Sequence, residues 1–381
     1  MNRIRTAVIG TGFMGRVHLE ALRRVENVDV VEVAATSLEK AKAAGAGYNI
    51  LNVTGDWKDV INDPSIDAVH VATPNASHHM IAKAALEAGK HVLCEKPLAM
   101  SVAEAQELTD LAVAKKLRGG LCHNLRYYPM VQQIRAMREA GALGEILVVQ
   151  GTYSQDWMLY ESDWNWRVDP LVSGPSRVMA DIGSHFFDMA EHLSGLKVTE
   201  VCSDLQIFHP TRKQPKGGGE SFSGKLGAAG ETVDTKVVTE DFGATLFRMG
   251  KARGTMTASQ VSAGRKNGLV MEIYGTKGGV SWSQERPEEL WLGHRDAPNQ
   301  ILMKDPSLLD EKARAFADYP GGHAEGYPDT HKQLYRRFYA SIADPTLTLD
   351  YPQFADGLRQ MKILDAELAS HKNRAWVSVP A

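Results

Sequence analysis

The chain has 381 residues, of which 43% are hydrophobic and 23% are charged, and its formal net charge is −3. This length is sufficient for two domains, each with its own buried core. The small negative charge offers no electrostatic basis for binding nucleic acid or a membrane surface, so a small-molecule ligand is expected. The three cysteines lack CxxC spacing and indicate neither a disulfide framework nor a zinc site.

The first residues and the overall hydropathy predict a cytoplasmic protein. Residues 1–3 lead directly into an apolar strand at 4–9, which leaves no room for a signal peptide. No segment reaches 18 uninterrupted apolar residues, so we expect no membrane span.

A glycine motif follows the first strand: Gly10-Thr11-Gly12-Phe13-Met14-Gly15. A largely apolar helix comes next. The first glycine allows a tight turn, the second lets a pyrophosphate approach the backbone, and the third allows the helix to pack on the strand. The helix N-terminus, including Phe13 and Met14, then faces the phosphates. This arrangement predicts a dinucleotide cofactor.

The end of the second strand leaves the choice between NAD and NADP open. An NAD-selective site normally has an acidic residue here to bind the ribose 2′-hydroxyl. Ala35 or Thr36 occupies that position. Without the carboxylate nothing repels a 2′-phosphate, which Thr36, Ser37 and Lys40 could even receive.

Strands and helices then alternate through the first third of the chain. The strand at 65–73 breaks at Pro74, and Asn75 is predicted to cap a helix over about 77–88 with His78 in its first turn. A strand at 91–95, a helix with a Ser101/Glu104 capping box and a strand at 117–124 follow. This alternation predicts a doubly wound parallel sheet, a Rossmann domain, over residues 1–126.

The pattern changes after residue 126. Strand-like segments follow in series, at 146–153, 199–208, 240–248, 252–261 and 269–274. They are interrupted by one helix at 178–193, and two helices close the chain, at 330–342 and 353–370. We therefore predict an α/β protein whose second domain, 127–381, has a large, mostly antiparallel open sheet. Its last helix could pack back on the first domain.

Residues 210–235 are rich in Gly, Lys and Ser and lack apolar periodicity, which predicts an exposed flexible loop. A lid, an oligomerisation arm and a plain loop are equal alternatives for it.

Two segments carry acid–base groups. Glu95-Lys96-Pro97 ends a strand, where ligands bind in open α/β sheets, and Lys96 beside Glu95 could donate a proton. A cis Lys96–Pro97 bond is a further prediction. Asp181 and His185 are four apart, so they share a helical face as a carboxylate–imidazole unit. The alternative for the first segment is a strand end with solvated charges. The alternative for the second is an ordinary contact on a helix surface. No metal site is expected, because the histidines at 78 and 79 lack partners at ligand spacing.

An aromatic and polar segment precedes that helix. Aromatic rings among planar hydrogen-bonding groups suit a sugar, although they could also be ordinary core anchors. The substrate-binding candidates are Asn124, Tyr153, Gln155, Trp157, Trp166 and Arg167, with His323 and Tyr327 as a pocket rim or a contact to a neighbouring site.

These motifs together resemble the glucose–fructose oxidoreductase, inositol dehydrogenase and rhizopine-catabolism family, Gfo/Idh/MocA, over essentially the whole chain. The matching segments are Gly10–Gly15, Thr73-Pro74-Asn75 with His78, Glu95-Lys96-Pro97 and Asp181–His185. The resemblance implies an NAD(P)-dependent dehydrogenase acting on a secondary hydroxyl of a sugar, glycoside or cyclitol, and a homodimer or homotetramer.

The resemblance also implies roles for these residues. Thr73, Pro74, Asn75, His78, Glu95 and Lys96 would contact the cofactor. Lys96 would stabilise the developing alkoxide, His185 would take the hydroxyl proton and Asp181 would orient it, while the hydride passes to C4 of the nicotinamide.

Four segments resemble one branch of the family, the levoglucosan dehydrogenases and related glucoside 3-dehydrogenases. They are Gln155-Asp156-Trp157, Trp166-Arg167, Asp181-Ile182-Gly183 and Ser259–Arg265. The alternatives are an inositol or polyol dehydrogenase, a glycosidase that uses tightly held NAD for transient oxidation, and a non-catalytic NAD(P)-binding sensor.

Overall fold

The computed structural model describes residues 3–216 and 230–381. The chain forms two compact units: Met1–Asn124 with Pro328–Met361, and Leu125–Tyr327 with Lys362–Ala381. The sequence-based boundary after residue 126 placed the whole remainder in the second domain, whereas residues 328–361 group with the first unit. No helix of the described chain is both long enough and apolar enough to cross a bilayer.

The first unit contains a six-stranded sheet in the order β3-β2-β1-β4-β5-β6, with every neighbouring pair parallel. This is the strand order of a dinucleotide-binding Rossmann fold, as predicted. The strands are β1 Ile4–Ile9, β2 Val28–Ala34, β3 Asn52–Thr54, β4 Ala68–Val71, β5 His91–Cys94 and β6 Gly119–Leu121. The sequence analysis missed β3, because three residues are too few to show a hydrophobic period.

Helices alternate with these strands: α1 Phe13–Leu22, α2 Leu38–Ala46, α3 Trp57–Asn62, α4 His78–Glu87 and α5 Val102–Ala114. The Ser101 cap is confirmed, because Ser101 Oγ accepts from Glu104 N at 3.2 Å. The Glu104 carboxylate differs from a regular capping box, since it accepts from Met100 N at 3.0 Å, one residue before the N-cap. The predicted Asn75 cap is wrong. A 3₁₀ turn, Asn75–Ser77, precedes α4, so Asn75 lies inside that turn and is buried.

The second unit contains a nine-stranded sheet, in which β7 and β12 pair in parallel and the other neighbours pair antiparallel. The mostly antiparallel sheet is as predicted. In sheet order its strands are β16 Gln300–Met303, β15 Glu289–Gly293, β14 Gly279–Ser283, β13 Gly268–Gly275, β7 Ile146–Ser154, β12 Ala252–Ser259, β11 Phe242–Met249, β8 Glu200–Gln206 and β17 Val377–Ser378.

The helices of the second unit are α6 Pro129–Glu139, α7 Pro170–Ser173, α8 Ser184–Ser194 and α9 Glu311–Arg314. Two long helices close the chain, α10 Tyr327–Ala343 and α11 Phe354–Asn373. All of α10 except Tyr327 belongs to the first unit, and α11 belongs to the first unit up to Met361 and to the second from Lys362. Phe186 and Phe187 of α8 lie against Phe247 of β11, with ring centroids 6.2 and 5.4 Å apart. One face of the sheet is therefore covered by α8.

The helix predicted at 178–193 is not uniformly α-helical. Met179–Gly183 forms a π turn, and the α-helix begins at Ser184 and ends before Gly195, whose φ is +71°. A π turn inserts an extra residue and is often found at functional sites. Asp181 lies within this turn, so it and His185 belong to different helical types rather than to one regular face.

The prediction of a loop over residues 210–235 is wrong at both ends of that segment, where the structure has strands. Thr211–Pro215 (β9) and Thr232–Lys236 (β10) form an antiparallel pair, while residues 217–229 lie outside the described chain. Arg212 is fully buried, and its guanidinium donates to Met158 O at 2.8 Å and to Asp241 Oδ1 at 2.7 Å. A long-range ion pair therefore orders this strand, and no local pattern predicts such a pair.

Candidate active site

The glycine motif forms an open turn between β1 and α1. Gly10 has a φ of +103°, and a Cβ there would lie 2.4 Å from Ala72 O. A Cβ on Gly15 would lie 2.0 Å from Gly10 O, whereas one on Gly12 would meet nothing within 4 Å. The first and third positions thus require glycine for packing, and the second opens a cradle at the N-terminus of α1. This cradle fits a pyrophosphate.

Phe13 and Met14 form the first turn of α1, where Phe13 is exposed. Thr36 and Ser37 follow β2 and start α2. Ser37 Oγ caps the helix by accepting from Lys40 N at 3.3 Å, and Lys40 Nζ donates to Thr36 Oγ1 at 3.3 Å. The Lys40 ammonium group and the Thr36 hydroxyl are thus adjacent and exposed. They lie at the end of β2, where an NAD-selective site normally has a carboxylate.

His78 connects the two chain segments that follow β4 and β5. Its ring nitrogens lie 2.8 Å from Thr73 O and 2.8 Å from Pro97 O. Burial lowers the pKa of His78, and the two carbonyl acceptors oppose this effect by favouring the charged ring. Ser77 Oγ also donates to Thr73 Oγ1 at 2.7 Å. The Thr73-Pro74-Asn75 segment is therefore fixed to the Glu95-Lys96-Pro97 segment.

The Glu95-Lys96-Pro97 segment leaves the carboxyl end of β5, and the Lys96–Pro97 bond is cis, as predicted. Glu95 is buried; Lys96 N donates to its Oε2 at 3.3 Å and His18 Nε2 lies 3.0 Å from its Oε1. Burial raises the pKa of this carboxyl, but the His18 hydrogen bond and nearby positive charge outweigh it and bring the pKa down to about 2. These contacts therefore favour the carboxylate form of Glu95.

The ligand atoms of His18, Glu95 and Cys122 lie within 4.8 Å of one another, the one such grouping of metal-ligand side chains in the described residues. The hydrogen bond between His18 and Glu95 accounts for this proximity.

Asn124, the last residue of the first unit's leading segment, is buried and donates to Thr330 Oγ1 at 2.7 Å.

In the second unit, Asp181 is held from two sides. Gln260 Nε2 donates to Asp181 Oδ2 at 2.8 Å, and Arg167 Nε lies 3.3 Å from Asp181 Oδ1. The Gln260 amide is itself oriented, because Arg177 donates to its Oε1 at 3.2 Å. Arg177 is anchored by its ion pair with the buried Asp241. The buried residues Asp241, Arg177 and Gln260 thus form a hydrogen-bonded chain that ends on Asp181.

His185 occupies the first turn of α8 and is 7% exposed. Its ring centroid lies 6.3 Å from that of Tyr153. Burial, together with the negative charge of Asp181, raises the pKa of Tyr153, so this phenol stays neutral. Asp188, one turn further along α8, binds Arg126 at 2.8 and 2.5 Å through both oxygens. Asp188 is therefore a structural anchor for the helix.

Hydrogen bonds connect three of the candidates to Asn267: Tyr153 and Gln155 directly, and Trp157 through Gln155. Tyr153 Oη and Gln155 Nε2 both donate to Asn267 Oδ1 at 2.8 Å. Trp157 Nε1 donates to Gln155 Oε1 at 2.7 Å. The three candidates are thus locked by one amide that the sequence analysis did not identify, because Asn267 follows them by more than a hundred residues.

Trp166 and Arg167 form a second small group. The Arg167 guanidinium carbon lies 4.4 Å from the centroid of the Trp166 ring, and Arg167 also contacts Asp181. Stacking of a cation on an indole holds both planes in place. An aromatic face therefore lies close to the acidic group.

His323 and Tyr327 have different environments. His323 is exposed in a loop and its Nδ1 lies 3.3 Å from Gly321 O, while its carbonyl accepts from Lys304 Nζ at 2.7 Å. Lys304 is buried against Glu325 at 3.0 Å. Tyr327 is half-buried at the start of α10. Lys304 thus fastens the loop, and within the described residues the contacts of His323 are with Gly321 and Lys304 rather than with the aromatic candidates.

Sequence reasoning therefore located most of these groups by their place at strand ends and helix starts. Among the residues it did not assign are His18, Gln260 and Asn267. Gln260 lay within the stretch Ser259–Arg265 that resembled one family branch, and this was its only signal. The supporting contacts join residues far apart in sequence, which a reading along the chain does not show.

Comparison with known proteins agrees with this architecture. Residues 4–121 match the profile described as "Oxidoreductase family, NAD-binding Rossmann fold", and residues 131–281 match the "GFO/IDH/MocA C-terminal domain". A levoglucosan dehydrogenase from Pseudarthrobacter phenanthrenivorans is 32% identical over 394 residues, covering 100% of this chain and 99% of the relative. A glucose-6-phosphate 3-dehydrogenase from Bacillus subtilis is 26% identical over 383 residues, covering 99% of each.

Among solved structures, a levoglucosan dehydrogenase in complex with NADH and levoglucosan superimposes with a TM-score of 0.89. It is 29% identical, and the match covers 100% of both chains. The Rossmann unit, the open-sheet unit and the matches to both family profiles define an oxidoreductase that binds a nicotinamide dinucleotide. The chain belongs to the Gfo/Idh/MocA family.

Proposed function

We propose that this protein oxidises a secondary hydroxyl of a pyranose or glycoside, at C3, with a nicotinamide dinucleotide as hydride acceptor. The observation that carries the proposal is the likeness over the full length of the chain to levoglucosan dehydrogenase, in a chain that has Lys96, Asp181 and His185 at the motif positions. The 3-dehydrogenase named among the relatives supports the choice of carbon.

The reaction removes a hydride from carbon and a proton from oxygen, so a ketone, a reduced dinucleotide and one proton are formed. The cofactor, held by the glycine turn and the segments at 36–37 and 73–75, would supply the hydride acceptor when bound. The protein must therefore provide a base for the hydroxyl proton and a positive charge near the oxygen as its negative charge develops.

His185 is the proposed base and Lys96 the proposed cation. An imidazole titrates near neutrality and can take a proton at physiological pH. Asp181 is the proposed orienting group, and its carboxylate is suited to that role because Gln260 and Arg167 hold both of its oxygens. The ammonium of Lys96 would lower the cost of the alkoxide.

The proposed substrate class rests on the aromatic and amide groups of the segments around Trp157 and Trp166. Trp157 is partly buried against Met158 and Val168, and Trp166 stacks with Arg167. Trp157 and Trp166 offer flat apolar faces for the C–H face of a sugar ring, and Gln155 and Arg167 offer hydrogen bonds to its hydroxyls. The cofactor is proposed to be NAD or NADP. The solved neighbour contains NADH, while Lys40 beside Thr36 gives a 2′-phosphate a positive group to bind.

The test is a panel of levoglucosan, glucosides, glucose 6-phosphate and inositols with NAD⁺ and NADP⁺, read by the absorbance of the reduced cofactor. We expect one pyranose or glycoside to give reduced cofactor and a 3-keto product identified by NMR. Preference for an inositol would move the substrate class to cyclitols. Cleavage of an aryl glycoside without net cofactor reduction would contradict the proposal in favour of a redox glycosidase.

Lys96→Ala tests the assigned chemistry. We expect kcat to fall by roughly 10²–10³-fold or more, because the charge facing the developing alkoxide is lost. Lys115→Ala, an exposed lysine after α5, is the matched control and should retain wild-type turnover. Unchanged turnover in Lys96→Ala would contradict the proposed mechanism.

A further inference from the structure

Tyr153, Gln155 and Asn267 meet where two neighbouring strands of the second unit's sheet end. β7 pairs antiparallel with β13, and the pair nearest this end is Ser154 with Gly268. Continued by one residue, this register places Asn267 opposite Gln155. Because side chains alternate along a strand, Tyr153 and Gln155 project from the same face of the sheet, and Asn267 joins them there. The strand register therefore brings together residues that lie more than a hundred positions apart in the chain.

Backbone hydrogen bonds hold both sides of this group. Gln155 N donates to Ser259 O at 2.8 Å, and Gln155 O accepts from Ser262 N at 2.8 Å. The N–H of Asn267 donates to Glu285 Oε1 at 3.1 Å. The loop between β12 and β13 is therefore anchored to the segment that carries Gln155, and the side chain of Asn267 extends from a fixed backbone.

The directions of the side-chain hydrogen bonds follow from donor and acceptor counting, without any assumption about the charge of a titrating group. An indole N–H can only donate, so the Gln155 atom that lies 2.7 Å from Trp157 Nε1 is the amide oxygen. The amide nitrogen of Gln155 therefore faces Asn267. It can only donate, so the Asn267 atom 2.8 Å away is the carboxamide oxygen.

The same oxygen of Asn267 takes the proton of Tyr153. Tyr153 Oη lies 2.8 Å from Asn267 Oδ1, and since an amide oxygen can only accept, the phenol is the donor. Tyr153 and Gln155 are both buried, with 4% and 9% exposure. A buried donor that loses its acceptor is costly. Without the Asn267 oxygen, both side chains would therefore lose part of what holds them in this orientation.

We propose that Asn267 is a positioning residue for the sugar, because its carboxamide oxygen orients the Gln155 amide and, through that amide, the Trp157 indole. Asn267 acts through these side chains, and no contact with the sugar is assigned to it. Gln155 and Trp157 are proposed above to bind the sugar, so the effect of Asn267 on sugar binding rests on the proposed function. The orientation of the side chains is a property of the protein alone.

The kinetic test compares Asn267→Leu with Asn267→Asp. Leucine has a similar volume but no acceptor, so the KM for the sugar should rise at least about tenfold. The kcat and the KM for the dinucleotide should change less than about threefold, because Lys96, Asp181 and His185 are unaltered. Aspartate keeps an oxygen that can accept both hydrogen bonds. It should bring the KM for the sugar back to within about threefold of the wild-type value.

Two further variants complete the kinetic test. Asn267→Ala removes the acceptor without adding apolar volume to a half-buried position, and it takes the place of Asn267→Leu if that variant does not fold. Asn62→Leu, at an exposed asparagine that ends α3, is the control and should keep the wild-type KM. An unchanged KM for the sugar without the acceptor would overturn the proposal. An equal loss in Asn267→Asp would also overturn it, since the acceptor oxygen would then not be the cause.

A second measurement does not depend on activity. Labelling the full-length protein with ¹⁵N at its seven tryptophans gives one indole N–H signal for each, and the Trp157 signal is the one lost in Trp157→Phe. We expect this proton to exchange with deuterium at least about tenfold faster in Asn267→Leu than in wild type. The rate should return towards the wild-type value in Asn267→Asp. An unchanged rate in Asn267→Leu would refute the orienting role of Asn267.

The two measurements separate this inference from the proposed function. Faster exchange of the Trp157 indole proton together with an unchanged KM for the sugar would refute the role of Asn267 in sugar binding. A wild-type protein that oxidises no sugar, yet shows faster indole exchange in Asn267→Leu, would contradict the proposed function and support the orienting role of Asn267.

Discussion

Single amide side chains do much of the positioning near the proposed acid–base group. Gln260 is fully buried, with its oxygen bonded to Arg177 and its nitrogen bonded to Asp181. The direction of the amide is set by the arginine, which can only donate. The Gln260 amide therefore connects the buried Arg177 guanidinium to the Asp181 carboxylate, with one hydrogen bond to each.

Gln260→Ala should lower kcat by roughly ten- to a hundredfold with little change in the KM for the sugar, since a hydrogen bond to a charged group contributes about 1.5–3 kcal/mol. Gln260→Glu should be at least as impaired, because it removes the donor and adds a like charge. Steady-state kinetics measure both. Gln106→Ala, exposed on α5, is the control, and full activity in Gln260→Ala would show that Asp181 does not depend on this amide.

A second prediction concerns the residue after β2 and the preference between NAD and NADP. Ala35→Asp would place a carboxylate near the ribose 2′ position and beside Lys40. A 2′-phosphate would be repelled, so the Kd for NADP⁺ should rise at least about tenfold relative to that for NAD⁺. Fluorescence titration with both cofactors measures the ratio. An unchanged ratio would mean that the 2′ position lies away from residue 35.

Among the structural elements, α11 carries a buried carboxyl that faces the sheet of the second unit. Thr245 Oγ1 of β11 donates to Glu367 Oε1 at 2.7 Å. Burial, together with the nearby Glu240, raises the pKa of Glu367 to about 8. The folded protein therefore keeps this proton at pH values where the unfolded chain has released it.

The sign of the pH effect follows from this difference. Between the ordinary pKa of 4.5 and about 8 the native state binds the extra proton, so stability falls as pH rises, by up to about 1.4 kcal/mol per pH unit. Glu367→Gln keeps the bond to Thr245 and removes the titration. Its melting temperature should exceed that of wild type by a margin that grows from pH 5.5 to pH 8.

Scanning calorimetry at several pH values measures that margin. About 1 kcal/mol corresponds to roughly 2–4 °C for a unit of this size. Glu311→Gln, on the short helix α9, serves as the control and should show no such growth. A margin independent of pH would indicate that Glu367 is ionised in the folded protein.

At the scale of the whole molecule, the nine-stranded sheet has a second face. Paired residues in eight of its strands form one row: Ile301, Trp291, Ser281, Glu272, Gln150, Thr255, Leu246 and Cys202. Leu246 is 51% and Ile301 61% exposed. The neighbouring position Phe247 points to the other face, against α8. The row mixes polar and apolar side chains, and we expect a second copy of the chain to cover it.

We therefore expect a homodimer or homotetramer, with a mass two or four times 41.8 kDa by light scattering. Leu246→Asp should reduce the mass towards that of the monomer, because burying a charge in an apolar contact is unfavourable. Leu51→Asp changes a leucine that is 92% exposed in the first unit, and it should leave the mass unchanged. A monomeric wild-type protein at micromolar concentration would contradict the expectation.

Local patterns in the sequence determined much of this protein. The glycine turn, the Ser101/Glu104 cap, the alternation of strands and helices and the segment at 95–97 all depend on residues within a few positions of one another. Such short-range rules of turn and helix formation operate wherever the chain folds. They were enough to predict the family, the two sheets and the places where the candidate residues lie.

Only the tertiary structure decided how those residues are supported. Asn267 meets Tyr153 and Gln155 only once β7 and β13 have paired, and Arg212 meets Asp241 only once a strand pair has formed. A buried polar group costs free energy until a partner satisfies it, and that partner can come from anywhere in the chain. The support of the candidate residues is therefore a property of the fold, not of any one segment.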